Sequence, residues 1–280
     1  MSLGAYTLLT ATVDGQTKTG KGAASQAIAD TLRDAGYSVY YDVAGDFYRR
    51  YVALVRLELG LSEDEKLPTV TELERAAKLV HERRDAFKPD ADLGDLQRPA
   101  ISNSVSVLGE LPLAQQAGSE WWRISLENAL TQHADVFVVD GRNPRDRIRE
   151  AGTKVAGNVQ IALDLYMRCD PAEAARRNLL IHADHVPTAE EIEVERSHIE
   201  ARRNRDLERI DYPFLQPVSG ISFDAEHDDV SRVLEAAWAE QDDMELPQTI
   251  VLDNTNIAKD LMIRAVCDLA LQSVERAKLR

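Results

Sequence analysis

Cysteine is scarce in this chain, with two residues in 280, Cys169 and Cys267. They lie far apart, with no CxxC and no partnering Cys/His spacing, so neither a disulfide framework nor a zinc site is indicated and both thiols read as buried. Long apolar runs are missing too: none approaches the roughly 18 to 20 residues of a membrane helix. The start MSLGAYTLLTATVDG lacks a basic n-region and a cleavage pattern, so the expected location is cytoplasmic. There is no internal repeat and no low-complexity tract. Basic residues are in deficit, 33 against 48 acidic, and a formal net charge of -15 disfavours nucleic acid as a partner unless positive charge is segregated. Some of it is: residues 142–209 hold 13 basic and 13 acidic residues, whereas 224–245 hold 9 acidic and 1 basic. The second tract reads as a solvated segment or packing arm. The first is compatible with a pocket for one small phosphorylated ligand.

What is present has the pattern of a layered α/β protein. Residues 5–13, 37–43, 134–141, 158–167 and 248–255 are short apolar runs that end in polar or glycine positions. Helical stripes separate them at 21–35, 114–131 and 256–276. Five parallel strands with helices on both faces are expected, with ligands bound beyond the carboxyl ends of the strands. Two charged helical stretches, 58–98 and 178–209, fall outside the repeating unit; the second has a thin apolar stripe of Ile192, Val194 and Ile199. His182 and His185 form a lone pair that reads as surface, and Trp121 and Trp122 read as core anchors.

The sharpest motif is Gly15-Gln16-Thr17-Lys18-Thr19-Gly20-Lys21, a GxxxxGK set between the first strand and the first helix. Such a loop turns several backbone N–H groups into one concavity at the positive end of a helix, and its lysine reaches the β- and γ-phosphates of a nucleotide. The hydroxyl that usually follows the lysine and helps to hold a magnesium ion is missing, because Gly22 and Ala23 stand there. A metal would then depend on Asp140, at the end of an apolar strand, acting through water. Asp14 reads as a brace for the loop.

In colinear order, VDG (13–15) with GKG (20–22), AGDFYRR (44–50), NSVSVLGELP (103–112), VVDGRN (138–143) and ARRNRDLER (201–209) resemble the motifs of the cytidylate kinase family. The last of these is similar to that family's ERDxRDxxR lid. The resemblance implies a P-loop NTPase fold with a core at 1–57, 99–177 and 210–280, a monophosphate-binding insertion at 58–98 and an arginine-rich lid at 178–209. It implies ATP and Mg²⁺ as cofactors and phosphoryl transfer to CMP or dCMP, in a monomer or weak homodimer without nucleic-acid or membrane partners. Gly15 through Ala23 and Arg176 would bind ATP. Arg49, Ser106, Arg142, Arg202, Asp206 and Arg209 would bind the acceptor, and Lys21, Arg142, Arg202 and Arg209 would act in catalysis. Independently, Arg202, Arg205 and Arg209 recur at helical spacing and would share one face, and Asp170 with Pro171 reads as a helix start. Ala44, Gln115 and Asn143 depart from the family pattern by loss of a hydroxyl or charge. They leave open a nucleotide-binding sensor or scaffold with a degraded acceptor site, or a small-molecule kinase with another acceptor.

Overall fold

The computed structural model describes residues 6–62, 65–87, 93, 95–96, 98–182, 185–208, 220–239 and 247–279. Arg209 lies outside the described residues, as do the side chains of Ser106, His182 and Asp206. The chain runs β1 (Thr7–Gly15), α1 (Lys21–Asp34), β2 (Val39–Val43), α2 (Ala44–Glu58), α3 (Val70–Arg83), α4 (Pro99–Leu108), α5 (Pro112–Thr131), β3 (Val136–Asp140), α6 (Pro144–Gly152), β4 (Asn158–Arg168), α7 (Pro171–His182), α8 (Ala189–Glu208), β5 (Ile221–Phe223), α9 (Val230–Ala239), β6 (Ile250–Asp253) and α10 (Lys259–Lys278). It divides into two compact units: residues 1–42 with 127–280, and residues 43–126.

The first unit contains a parallel sheet in the order β2-β3-β1-β4-β6-β5. β1 is central and buried on both faces, which is why it reads as a nearly continuous apolar and β-branched run. On one face α1 and α10 pack together, with Ile28, Leu32, Val266 and Leu269 set against Leu9, Ala11, Val13 and Leu165. On the other face α6 lies against β1 and β4. Six strands stand where five were expected. The extra one, Ile221–Phe223, joins the edge beside β6 (Ile221 opposite Ile250), and three residues are too few to show a period of two in sequence. Within the described part of the acidic tract, α9 packs: it buries Val233, Leu234, Ala237 and Trp238 and turns its charges outward.

The strand order decides where a ligand can sit. From β1 the chain crosses toward β2, and from β3 it crosses in the opposite direction to β4, so the crevice beyond the carboxyl ends of β1 and β3 is the switch point of the sheet.

The second unit is helical and wider than the 58–98 insertion expected from sequence, because α2 and α5 contribute its core. The Phe47 ring packs on Tyr48, Tyr51, Phe87 and Trp121, and Trp121 meets Trp122 edge-on, so both tryptophans are core residues. The Tyr51 hydroxyl donates to the Ala77 carbonyl at 3.1 Å, and burial pushes its pKa up to about 12. Among the described residues, no helix is long and apolar enough to cross a membrane.

One buried polar cluster ties α6 to the sheet. Asp164, in the middle of β4 and 4% exposed, accepts hydrogen bonds from Thr12 Oγ1 (2.7 Å), Thr249 Oγ1 (2.5 Å) and Arg145 Nη1 (3.2 Å). Removing the carboxylate leaves the Arg145 guanidinium without this charged acceptor and takes an acceptor from the half-buried Thr249 hydroxyl, while Thr12 Oγ1 keeps the Leu163 carbonyl at 3.2 Å. Asp164→Ala is therefore expected to lower the unfolding free energy by about 3 kcal/mol in urea titrations, and Asp164→Asn by less.

Candidate functional site

The loop between β1 and α1 is shaped by contact with β4. Gly15 lies opposite Met167 with φ 145°, and a Cβ there would stand 2.2 Å from the Met167 carbonyl oxygen. Gln16 N–H donates to that same oxygen at 3.0 Å, and Gln16 Oε1 accepts from the Cys169 N–H at 3.3 Å. At the far end of the loop Gly20 takes φ 90° and opens α1, whose positive end points back at the loop. Thr19 Oγ1 donates to the Gln16 carbonyl, and Asn254, 1% exposed after β6, donates from Nδ2 to the Thr19 carbonyl at 2.7 Å.

Asp14 braces the loop, as its position suggested. One of its carboxylate oxygens accepts from Gly15 N–H at 2.6 Å and the other from Asn143 N–H at 3.1 Å. Asn143, noted above only as a departure, sits in the left-handed region (φ 50°) and starts α6 ahead of Pro144. Its backbone thus ties the GR turn after β3 to the end of β1. Asp140 is 8% exposed at the end of β3, and its Oδ2 lies 3.9 Å from where a Cβ on Gly22 would be.

Cations from distant segments converge on the loop. Lys21 Nζ donates to the carbonyls of Gly15 (3.0 Å) and Gln16 (3.1 Å). Arg142 donates from Nη1 to the Gly15 carbonyl (2.6 Å) and from Nη2 to Thr17 Oγ1 (2.8 Å). From α8, Arg203 Nη2 donates to the Thr17 carbonyl at 3.2 Å, and Arg202 lies close enough to act on the Lys21 ammonium. The Lys21 side chain as a whole is half-buried, but its ammonium end is enclosed. That desolvation, reinforced by Arg142, lowers its pKa to about 8 despite the opposing pull of Asp140 and Asp14.

The face of α8 turned to the loop differs from the one expected. Arg205 is exposed, whereas Arg202 and Arg203 are half-buried. The reason is packing: α8 lies on α7 through Ile199 and Ile192, joined with Cys169, Ala174 and Ala175, and Val194 stays 53% exposed. Positions 192, 199 and 203 share one helical stripe, and that spacing is the signal that marks Arg203 in sequence. Asp170 does start α7, accepting from Ala172 and Glu173 N–H. Arg176 remains exposed, with its Nε and Nη2 held by Glu173. Its neighbour Arg177 instead donates to the carbonyls of Asn254, Thr255 and Ile257, clamping α7 to the turn after β6. Arg49 belongs to the 43–126 unit, where its guanidinium pairs with Asp46. Cys169 and Cys267 are free, buried thiols whose pKa burial raises.

The chain matches no protein-family model and no curated protein. The fold is that of an α/β protein with a six-stranded parallel sheet and helices on both sides, compatible with a Rossmann or P-loop-like arrangement.

Two outcomes are expected. Gly15→Ala forces the loop off β4 and should lower the thermal midpoint by several degrees, the equivalent of about 2 kcal/mol or more. Lys21 also carries a pH signature. Its proton is held less tightly in the folded chain than in the unfolded one, so its charge destabilises the fold fully below pH 8. That penalty is relieved as the pH rises from about 8 toward the ordinary 10.5. Urea titrations should show wild type gaining stability relative to Lys21→Met across that window. A constant difference would mean that the ammonium titrates normally.

Proposed function

We propose that the chain is an ATP-dependent kinase of a small phosphorylated acceptor, of nucleoside monophosphate kinase type, with CMP or dCMP as the acceptor. One observation carries this reading: Lys21, Arg142 and Arg203 reach a single loop at the positive end of α1 from three separate segments. There they donate to carbonyl and hydroxyl oxygens of Gly15, Gln16 and Thr17. Phosphoryl transfer asks little covalent chemistry of a protein and much positioning and positive charge around the transferred group. A triphosphate chain laid along the loop would replace weak carbonyl acceptors with charged oxygens, restore the Lys21 proton affinity and satisfy Arg142 bidentately. Arg202, on the α8 face turned to the loop, would complete the charge around the γ-phosphoryl group.

Asp140 would hold a magnesium ion through water, and that ion would neutralise phosphate charge. Asp14 has both oxygens on backbone N–H groups, and Ala23 offers no hydroxyl. Arg49 and Ser106, in the 43–126 unit, are the residues proposed for the acceptor.

Incubation with ATP, Mg²⁺ and each common nucleoside and deoxynucleoside monophosphate, following ADP, tests the reading. Turnover with at least one acceptor is expected, falling about a hundredfold or more in Lys21→Ala. Wild-type turnover no greater than that of Lys21→Ala for every acceptor would refute it.

A further inference from the structure

The helical 43–126 unit holds a cavity of its own. It measures about 380 Å³, within the roughly 300 to 1,000 Å³ of small-molecule sites, and lies between α3 and the junction of α4 with α5. Helix α3 lines it with Thr71, Glu74, Arg75 and Lys78, which follow one another at i, i+3, i+4 and i+7 and so share a stripe. A second stripe, Leu73, Ala76, Ala77 and Val80, is buried, and the bond from the Tyr51 hydroxyl to the Ala77 carbonyl ties it to α2. The polar stripe therefore lies on the side of α3 turned away from α2.

The walls divide into an apolar floor and a charged rim. Ala77 and Leu111 are buried and Leu113 is half-buried, whereas Glu74, Arg75 and Lys78 are exposed. Two cations thus stand over the floor against one carboxylate. Arg75 forms no ion pair among the described residues, and the Lys78 ammonium reaches only Glu82 at 3.8 Å, in an exposed pair that holds it weakly. Glu74 precedes Lys78 by four residues, a spacing that permits pairing, yet no ion pair joins them. The start of α5 adds to the positive side: the helix begins at Pro112 in the cavity wall, and Leu111 before it has no side-chain oxygen to cap it.

We propose that this cavity is a binding site for an amphipathic carboxylate, whose short apolar chain lies on Ala77, Leu111 and Leu113 and whose carboxylate pairs with Arg75, with Lys78 adding charge. An arginine fork suits the task because it matches a carboxylate bidentately, while an apolar chain gains by leaving water for the floor. The site is distinct from the residues proposed for the acceptor and does not depend on the kinase reading. Leu113 lies two residues before Gln115, about 200° round α5 from it, and Arg49 stands on α2, against the opposite stripe of α3.

The test is titration of the full chain with octanoate, octylamine and inorganic phosphate, followed through backbone amide NMR shifts, in wild type, Arg75→Glu and Arg75→Lys. Octanoate is expected to shift the amides of Ala77, Leu111 and Leu113. Octylamine, with the chain and the wrong charge, and phosphate, with the charge and no chain, should each bind at least about tenfold more weakly. Arg75→Glu should weaken octanoate by about tenfold or more, with Arg75→Lys between it and wild type because it keeps the charge and loses the fork. Position 75 is exposed, so both variants should fold, and unchanged amide spectra away from the cavity check this. Octanoate binding equally well to Arg75→Glu, octylamine binding as tightly as octanoate, or octanoate shifts confined to other residues overturns the proposal. Absence of any octanoate shift in wild type overturns it too.

Discussion

Gly15 is pressed against the backbone of β4, and that contact sets where the loop after β1 can run. No side chain fits between its Cα and the Met167 carbonyl. The loop therefore leaves the sheet at one angle, with Gln16 N–H held by Met167 and Asp14 holding the N–H groups of Gly15 and Asn143. The carbonyls of Gly15, Gln16 and Thr17 then become the acceptors for Lys21, Arg142 and Arg203. Because Asn143 also begins α6, the brace on Asp14 couples the GR turn to the loop. The buried Asp164 cluster holds the first turn of α6 to the sheet from beneath. The site is thus a set of backbone constraints first and a set of charges second.

Those charges are poorly balanced. Enclosure of the Lys21 ammonium lowers its pKa to about 8, chiefly through desolvation and further through the Arg142 guanidinium. Arg203 is likewise pushed down, chiefly by burial, with a contribution from Arg142. Asp140 and Asp14 oppose the shift at Lys21 without cancelling it.

How much of this was legible beforehand depends on the length scale of each feature. The GxxxxGK loop, the apolar strands and the Asp170–Pro171 helix start depend on neighbours in sequence, and each is found where its pattern indicates. Arg205 shows the limit. Helical spacing groups it with Arg202, yet α8 has two charged faces, and only packing on α7 through Ile192 and Ile199 decides which one turns to the loop. Arg203 follows those two residues on the same stripe, so its place becomes readable once the buried face is known. Asn254 gives no such signal, since its contact with Thr19 joins positions 235 residues apart. The short strand β5 was too brief for a period, and α2 and α5 enter the 43–126 core through ring contacts that no local pattern records.

The sequence by itself determined the α/β alternation, the glycine-bounded loop between β1 and α1, the missing hydroxyl at Ala23 and the uneven spread of charge, because each is a property of composition or short-range spacing. Only the tertiary structure decided which arginines meet that loop, which carboxylate braces it and how hard its lysine is pressed. Those outcomes depend on helix faces chosen by packing and on desolvation by groups distant in sequence. Both are sums over the whole fold, and no short window of residues contains them.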